Sequence, residues 1–102
     1  MIVLRGYEIL VMQSPADLVI DDTKKGNKGT LYLTNTRLVF EVEQSVLRDI
    51  LLDLVRSIEE VTEYEIAVSY MTNRTDKSSR DVFRILNRDI HKNWMNTFKK
   101  YM

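Results

Sequence analysis

The sequence predicts a mainly β domain closed by one C-terminal α-helix. Three observations carry this. Apolar and polar residues alternate with period two in short runs between Ile9 and Leu86. The turns between those runs are built from Asn, Asp, Ser and Thr, with Pro15 the single proline and Gly6, Gly26 and Gly29 the three glycines. After Asn87 the chain changes to a helical period, with Ile90, Trp94 and Phe98 four residues apart. At 102 residues and 12.0 kDa the chain reads as one domain spanning 1–102, long enough to bury roughly 60–70% of the surface it exposes when unfolded.

The first apolar runs, Ile9–Met12 and Asp17–Ile20, read as two strands or one bent strand. Ser14-Pro15 is expected to break pairing between them, because proline donates no backbone hydrogen bond. Asp21–Lys28 reads as a polar loop. The clearest local signal follows. Leu31 and Leu33 alternate with Thr30, Tyr32 and Thr34, and Leu38, Phe40 and Val42 alternate with Arg37, Val39, Glu41 and Glu43. Period two on both sides of Thr34-Asn35-Thr36 predicts a β-hairpin with one buried face. Asn35 is the residue there best able to take a positive φ.

Ser45–Val61 is open to two readings. Val46, Leu47, Ile50, Leu51, Leu54, Val55, Ile58 and Val61 fit a helical period. Ile50–Leu52 and Ser57–Thr62 also fit two strands joined by a turn at Asp53–Arg56. Tyr64–Met71 is a strand with Ile66, Val68 and Tyr70 on one face. After a polar turn, Asn73–Asp81, the run Val82–Leu86 is a strand with Phe83 and Ile85 inward. Ile90, Trp94, Phe98 and Tyr101 then fall on one helical stripe. Asn87 or Asp89 can cap that helix, and Lys99 and Lys100 suit its negative C-terminal end.

Gly29-Thr30-Leu31-Tyr32-Leu33-Thr34-Asn35-Thr36-Arg37-Leu38-Val39-Phe40 resembles the hairpin signature of GRAM domains, members of the pleckstrin-homology (PH) superfold. Gly6–Leu10, Ala16–Leu18 and Ile50–Glu59 resemble the family's lead-in and mid-domain segments, and Trp94 resembles the tryptophan of its closing helix. The likeness runs from about Gly6 to Met102 and departs at Leu51, where many relatives place a proline. It favours strands over 48–63. It implies a PH-like bent antiparallel sandwich, or partly open barrel, of about seven strands capped by the helix.

Fifteen basic residues balance fifteen acidic ones, which argues against nucleic acid as the partner. The balance is uneven along the chain: residues 72–102 hold eight basic and three acidic groups, and residues 1–71 hold seven and twelve. Without cysteine there is no disulfide, thiolate metal site or thiol nucleophile. No apolar run approaches the roughly 20 residues of a spanning helix, and no secretory signal is evident, so the expected location is the cytoplasm. His91 has no nucleophile to pair with and reads as a surface or boundary residue. Gly26–Thr30 lacks the order and spacing of a phosphate-binding loop. Asp17, Asp21 and Asp22 lack the spacing of a calcium loop. No enzyme activity, cofactor or metal is expected.

Two basic features remain. Lys24, Lys25 and Lys28 occupy the loop position where the resemblance implies lysines that hold inositol phosphates; Asp21 and Asp22 dilute that charge, and the loop also reads as a solvated turn. Arg80 and Arg84 share a strand face opposite Phe83 and Ile85, and with Arg88 form a candidate interaction face; the same arginines can equally shield a sheet. The expected function is a non-enzymatic PH/GRAM-type interaction module. Its expected partner is a protein or a second copy of itself, with an anionic membrane surface as the alternative.

Overall fold

The computed structural model describes residues 2–19, 26–72 and 77–101. Seven strands precede one helix: β1 (Leu10–Val19), β2 (Gly26–Thr34), β3 (Arg37–Val42), β4 (Ser45–Leu51), β5 (Val55–Thr62), β6 (Glu65–Met71), β7 (Ser78–Arg84) and α1 (Arg88–Tyr101). They form one antiparallel sheet in the order β4-β3-β2-β1-β7-β6-β5. β1 joins the two halves. It pairs with β2 along its length and with β7 only at Asp17–Val19. β4 and β5 end the sheet, so the barrel is left open between them. Leu18, Leu31, Leu33, Phe40, Ile66, Val68, Phe83 and Ile85 from both halves meet Trp94 and Phe98 of α1 in one core. This is the expected PH-like sandwich closed by a helix.

The hairpin turns at Asn35–Thr36, with Leu33 opposite Leu38 and Leu31 opposite Phe40. Its second face is not free, contrary to the simple alternation: Tyr32, Thr34, Arg37, Val39 and Glu41 are buried as well. At the turn end the cover is the N-terminal segment. Arg37 Nη2 donates to the Val3 carbonyl at 2.7 Å, and Ile9 and Asn35 exchange two hydrogen bonds. Asn35 is therefore held by that segment and has no positive φ. Left-handed backbone falls instead on Glu43 (φ 48°) and Gln44 (φ 73°), the two central residues of the β3–β4 turn, as a tight hairpin requires. Gly29 has a steric reason: a Cβ there would lie 2.2 Å from the Glu41 carbonyl oxygen.

Three boundaries differ from the sequence reading. β1 runs straight through Ser14-Pro15; Pro15 sits opposite Thr30, on the stretch that β7 does not reach, so one edge of the strand is open there. β2 begins at Gly26, which places Lys28 in a strand and not in a loop. β7 begins at Ser78, four residues before Val82. The ambiguous segment is strand, a 3-10 turn at Leu52–Leu54, and strand. Its helical period has no helical face to serve: Ile50 and Val55 enter the core, while Val46, Leu47, Leu51 and Val61 stay exposed.

Asn87 Oδ1 accepts from the backbone N–H groups of Asp89 and Ile90 at 2.9 and 3.1 Å and caps α1. The buried stripe is rotated from the expected one. His91, Trp94 and Phe98 are buried, Ile90 and Met95 half-buried, and Tyr101 exposed. Trp94 Nε1 donates to Ser14 Oγ at 2.7 Å, tying α1 to β1. Among the described residues no helix is long and apolar enough to cross a membrane.

Candidate functional site

Lys28 and Arg84, taken from sequence as members of two basic features, belong to a single row on the sheet. Lys28 of β2 is opposite Asp17 of β1, Asp17 is opposite Arg84 of β7, and Arg84 is opposite Glu65 of β6. Charge alternates across four strands, and Arg84 Nη2 reaches Glu65 Oε2 at 3.2 Å. Arg88 pairs with Glu63 at 3.2 Å in an exposed contact. Arg80 is exposed opposite Ser69. Lys24 and Lys25 lie outside the described residues. Because β7 threads between β1 and β6, Arg84 finds its acids within the same chain. Lys28, Arg80, Arg84 and Arg88 do not converge on one point.

Two buried polar clusters escaped the sequence reading. Glu8 is 9% exposed beneath the N-terminal segment. Its carboxylate accepts from Arg37 Nε at 2.7 Å and Nη2 at 2.9 Å, from the hydroxyls of Thr34 and Thr36 at 2.7 Å each, and from the Arg5 backbone N–H at 3.1 Å. The Arg37 guanidinium, followed by these hydroxyl and amide donors, holds the Glu8 carboxyl well below the usual carboxylate range despite its burial. Arg37 also meets Asp49 at 3.1 Å, and Asp49 meets Arg5 at 3.1 Å. The second cluster bridges the two halves of the sheet. Asp81 Oδ2 accepts from Arg48 Nε at 2.9 Å and from the Tyr70 hydroxyl at 2.5 Å. Burial, then Asp81, pushes the Tyr70 hydroxyl up to about 12. Neither cluster had a local signal: Glu8 lies between the exposed Tyr7 and Ile9, and Asp81 ends a run read as a polar turn.

These clusters have the character of locks. Among the described residues, no buried side-chain nitrogen or oxygen lacks a partner, so neither offers an unfilled valence to a ligand. His91 is buried, not at the surface as its sequence position suggested; Nε2 lies 3.4 Å from the Glu65 carbonyl oxygen. No three His, Asp or Glu side chains among the described residues are grouped to hold a metal ion.

An open feature lies between β5 and α1. Val55, Ile58, Met95 and Phe98 floor a hollow of about 260 Å³, with Arg56, Ser57 and Lys99 on its rim. Met95 and Lys99 also border a second, polar hollow that extends toward Glu60, Glu63, Arg88, Asp89 and Lys92. The two hollows share Met95 and Lys99 and make one groove beside β5, whose outer edge takes no strand among the described residues.

No protein-family model matches the sequence, and comparison with curated proteins gives no match. Solved structures do match in fold. The DH/PH fragment of PDZRhoGEF in complex with human RhoA superposes with a TM-score of 0.73 at 13% identity, over 92% of this chain and 28% of that one. The Slm1 PH domain in complex with inositol 4-phosphate gives 0.73 at 11% identity, over 91% and 97%. The Ran-binding domain of Nup2 from Ashbya gossypii gives 0.70 at 16%, over 94% and 96%. This chain thus spans little more than a quarter of the exchange-factor chain it matches. At such identity the likeness shows a PH-like fold.

Proposed function

We propose that this chain is a non-enzymatic recognition module of the PH/GRAM type whose ligand is a protein. The observation that carries this reading is the groove between β5 and α1: a strand edge that pairs with no strand among the described residues, beside an apolar floor, with Arg56 and Lys99 on the rim and no ion pair to either among those residues. A rigid sandwich that spends its buried charges on internal locks suits presentation of a surface rather than chemistry on a substrate. Two of the neighbouring folds point the same way, since one is described in complex with RhoA and another as a Ran-binding domain.

The competing ligand is an anionic membrane surface, read through Lys24, Lys25 and Lys28. It is favoured by the exposed Lys28 and by the Slm1 PH domain's description as an inositol 4-phosphate complex. Against it, Lys28 faces Asp17 across the β1–β2 ladder, which lowers the field available to a phosphate. Sedimentation with vesicles separates the two. The protein is expected to stay in the supernatant with phosphatidylcholine vesicles, and equally when phosphatidylserine and phosphatidylinositol 4-phosphate are added. Co-sedimentation with the acidic vesicles that disappears in a Lys24→Ala, Lys25→Ala, Lys28→Ala variant would overturn the protein reading.

A further inference from the structure

We infer that two copies of this chain pair through their β4 strands, antiparallel and about a two-fold axis at Asp49, each copy placing its Leu47 in a hollow beside Leu51 of the other. The interface lies at the opposite end of the sheet from the β5–α1 groove. Its partner is the chain itself, so it goes beyond the protein-binding reading and does not depend on the groove.

The two end strands of the sheet are protected differently. β5 exposes Arg56, Glu59 and Glu60, charges that resist indiscriminate pairing. β4 exposes Val46, Leu47 and Leu51 at 52%, 37% and 47%. Its two charged residues are both engaged within the chain, Arg48 with Asp81, and Asp49 with Arg37 and Arg5. The backbone is open on that side as well. Leu52 N–H donates to the Thr36 carbonyl, Leu38 lies opposite Ile50, and Phe40 lies opposite Arg48. Ladder alternation therefore turns the N–H and C=O of Ile50 and Arg48 toward β3, and those of Asp49 and Leu51 toward the outer edge. That edge takes no strand among the described residues.

The edge is complementary to itself. The register steps from Arg48 to Val46, so Leu47 has no residue opposite it on β3; a bulge of this kind re-aims a side chain. An antiparallel pair centred on Asp49 sets Leu47 of one copy opposite Leu51 of the other, twice by symmetry. Beside Leu51, a hollow of about 250 Å³ is lined by Ile50, Leu51, Leu54, Tyr70 and Met71, with Asp49 and Thr72. It is smaller than the roughly 300–1,000 Å³ of sites for drug-sized ligands and suits one leucine side chain. Two bare carboxylates at the axis would oppose the pairing. Each Asp49 brings its own bases instead: Arg37 and the exposed Arg5 both meet it at 3.1 Å, so acids and bases alternate across the centre. With both of its charged residues paired internally, β4 has no charge left over to select a charged partner, and its own apolar, neutralised copy is the occupant it fits.

Light scattering on the full chain is expected to return the 12.0 kDa monomer mass at low concentration and twice that mass in the upper micromolar range. Leu51→Pro is the sharpest variant. Leu51 has φ −66°, the angle that proline imposes, and its N–H faces outward. The substitution should keep the fold, read by tryptophan fluorescence, while removing an interface donor from each copy; the dimer dissociation constant should rise about tenfold. Leu47→Lys should leave only monomer. The chain has no cysteine, so an introduced one is a unique label. A short bismaleimide should join Leu47→Cys chains to Leu51→Cys chains more readily than it joins either variant to itself. Monomer at every concentration refutes the interface and leaves the groove reading standing. A dimer that survives both Leu47→Lys and Leu51→Pro refutes the β4 assignment.

Discussion

Beneath the N-terminal segment, the Arg37 side chain is 5% exposed and meets two carboxylates and a backbone carbonyl. Across the molecule, Arg56 and Lys99 stand in solvent beside an apolar hollow that no carboxylate lines. The first arrangement spends every charge on fastening residues 2–9 over the β2–β3 hairpin. The second leaves both cations without an ion pair, and the outer edge of β5 without a strand, among the described residues. A buried ion pair that is fully hydrogen-bonded holds one geometry, and removing either partner is costly. An exposed cation costs almost nothing to hold and almost nothing to lose. The contrast separates the part of the surface that builds the fold from the part available for recognition.

The largest expected effect attacks the fastened side. Glu8→Ala leaves Arg37 buried with Asp49 as its remaining carboxylate partner and should destabilise the protein by about 3–5 kcal/mol in urea unfolding. A loss under about 1 kcal/mol would mean that the cluster is ornamental and the comparison misdrawn.

The next effect is a pH dependence with a fixed sign. The folded-state pKa of Glu8 lies below its ordinary value of 4.5. Its contribution is therefore complete above about pH 4.5 and is lost as pH falls through the acid range below it. Acid unfolding followed by tryptophan fluorescence should begin at higher pH in Glu8→Gln, whose stability should vary less between pH 5 and 3 than that of the parent protein. Equal slopes would move the linkage to another carboxylate.

The smallest expected effect is on the open side. Arg56→Glu and Lys99→Glu should each shift stability by no more than about 0.5 kcal/mol, as surface substitutions do. A larger loss would show that these cations are part of the scaffold after all, and would erase the distinction between the two regions.

Much of the fold could be read from the chain because its signals are local. Leu31, Leu33, Leu38 and Phe40 specify a hairpin by alternation alone, and Trp94 and Phe98 mark the helix face four residues apart. Asn87 caps by its own side chain. The misreadings were non-local. The second hairpin face is buried by Val3 to Ile9, some thirty residues away in sequence. His91 is inside and Tyr101 outside because the packing of α1, with Trp94 tied to Ser14, sets the rotation of its stripe, and periodicity leaves that rotation free by one position. The two basic features looked separate because Lys28 and Arg84 are far apart in sequence; strand register aligns both with Asp17.

The amino-acid sequence by itself determined most of the elements and their order: period two for the hairpin and its neighbouring strands, a helical period after Asn87, and one compact unit's worth of apolar residues to cover; only Ser45–Val61 fitted helix and strand alike. Those follow from short-range geometry of the backbone and the cost of leaving apolar surface in water. Which charges are spent and which are left over was decided only by the tertiary structure. An ion pair depends on distance in space: the placement of β7 between β1 and β6 matches Arg84 to Glu65, while the position of β5 at the end of the sheet and of Lys99 on α1 leaves Arg56 and Lys99 without an ion pair among the described residues.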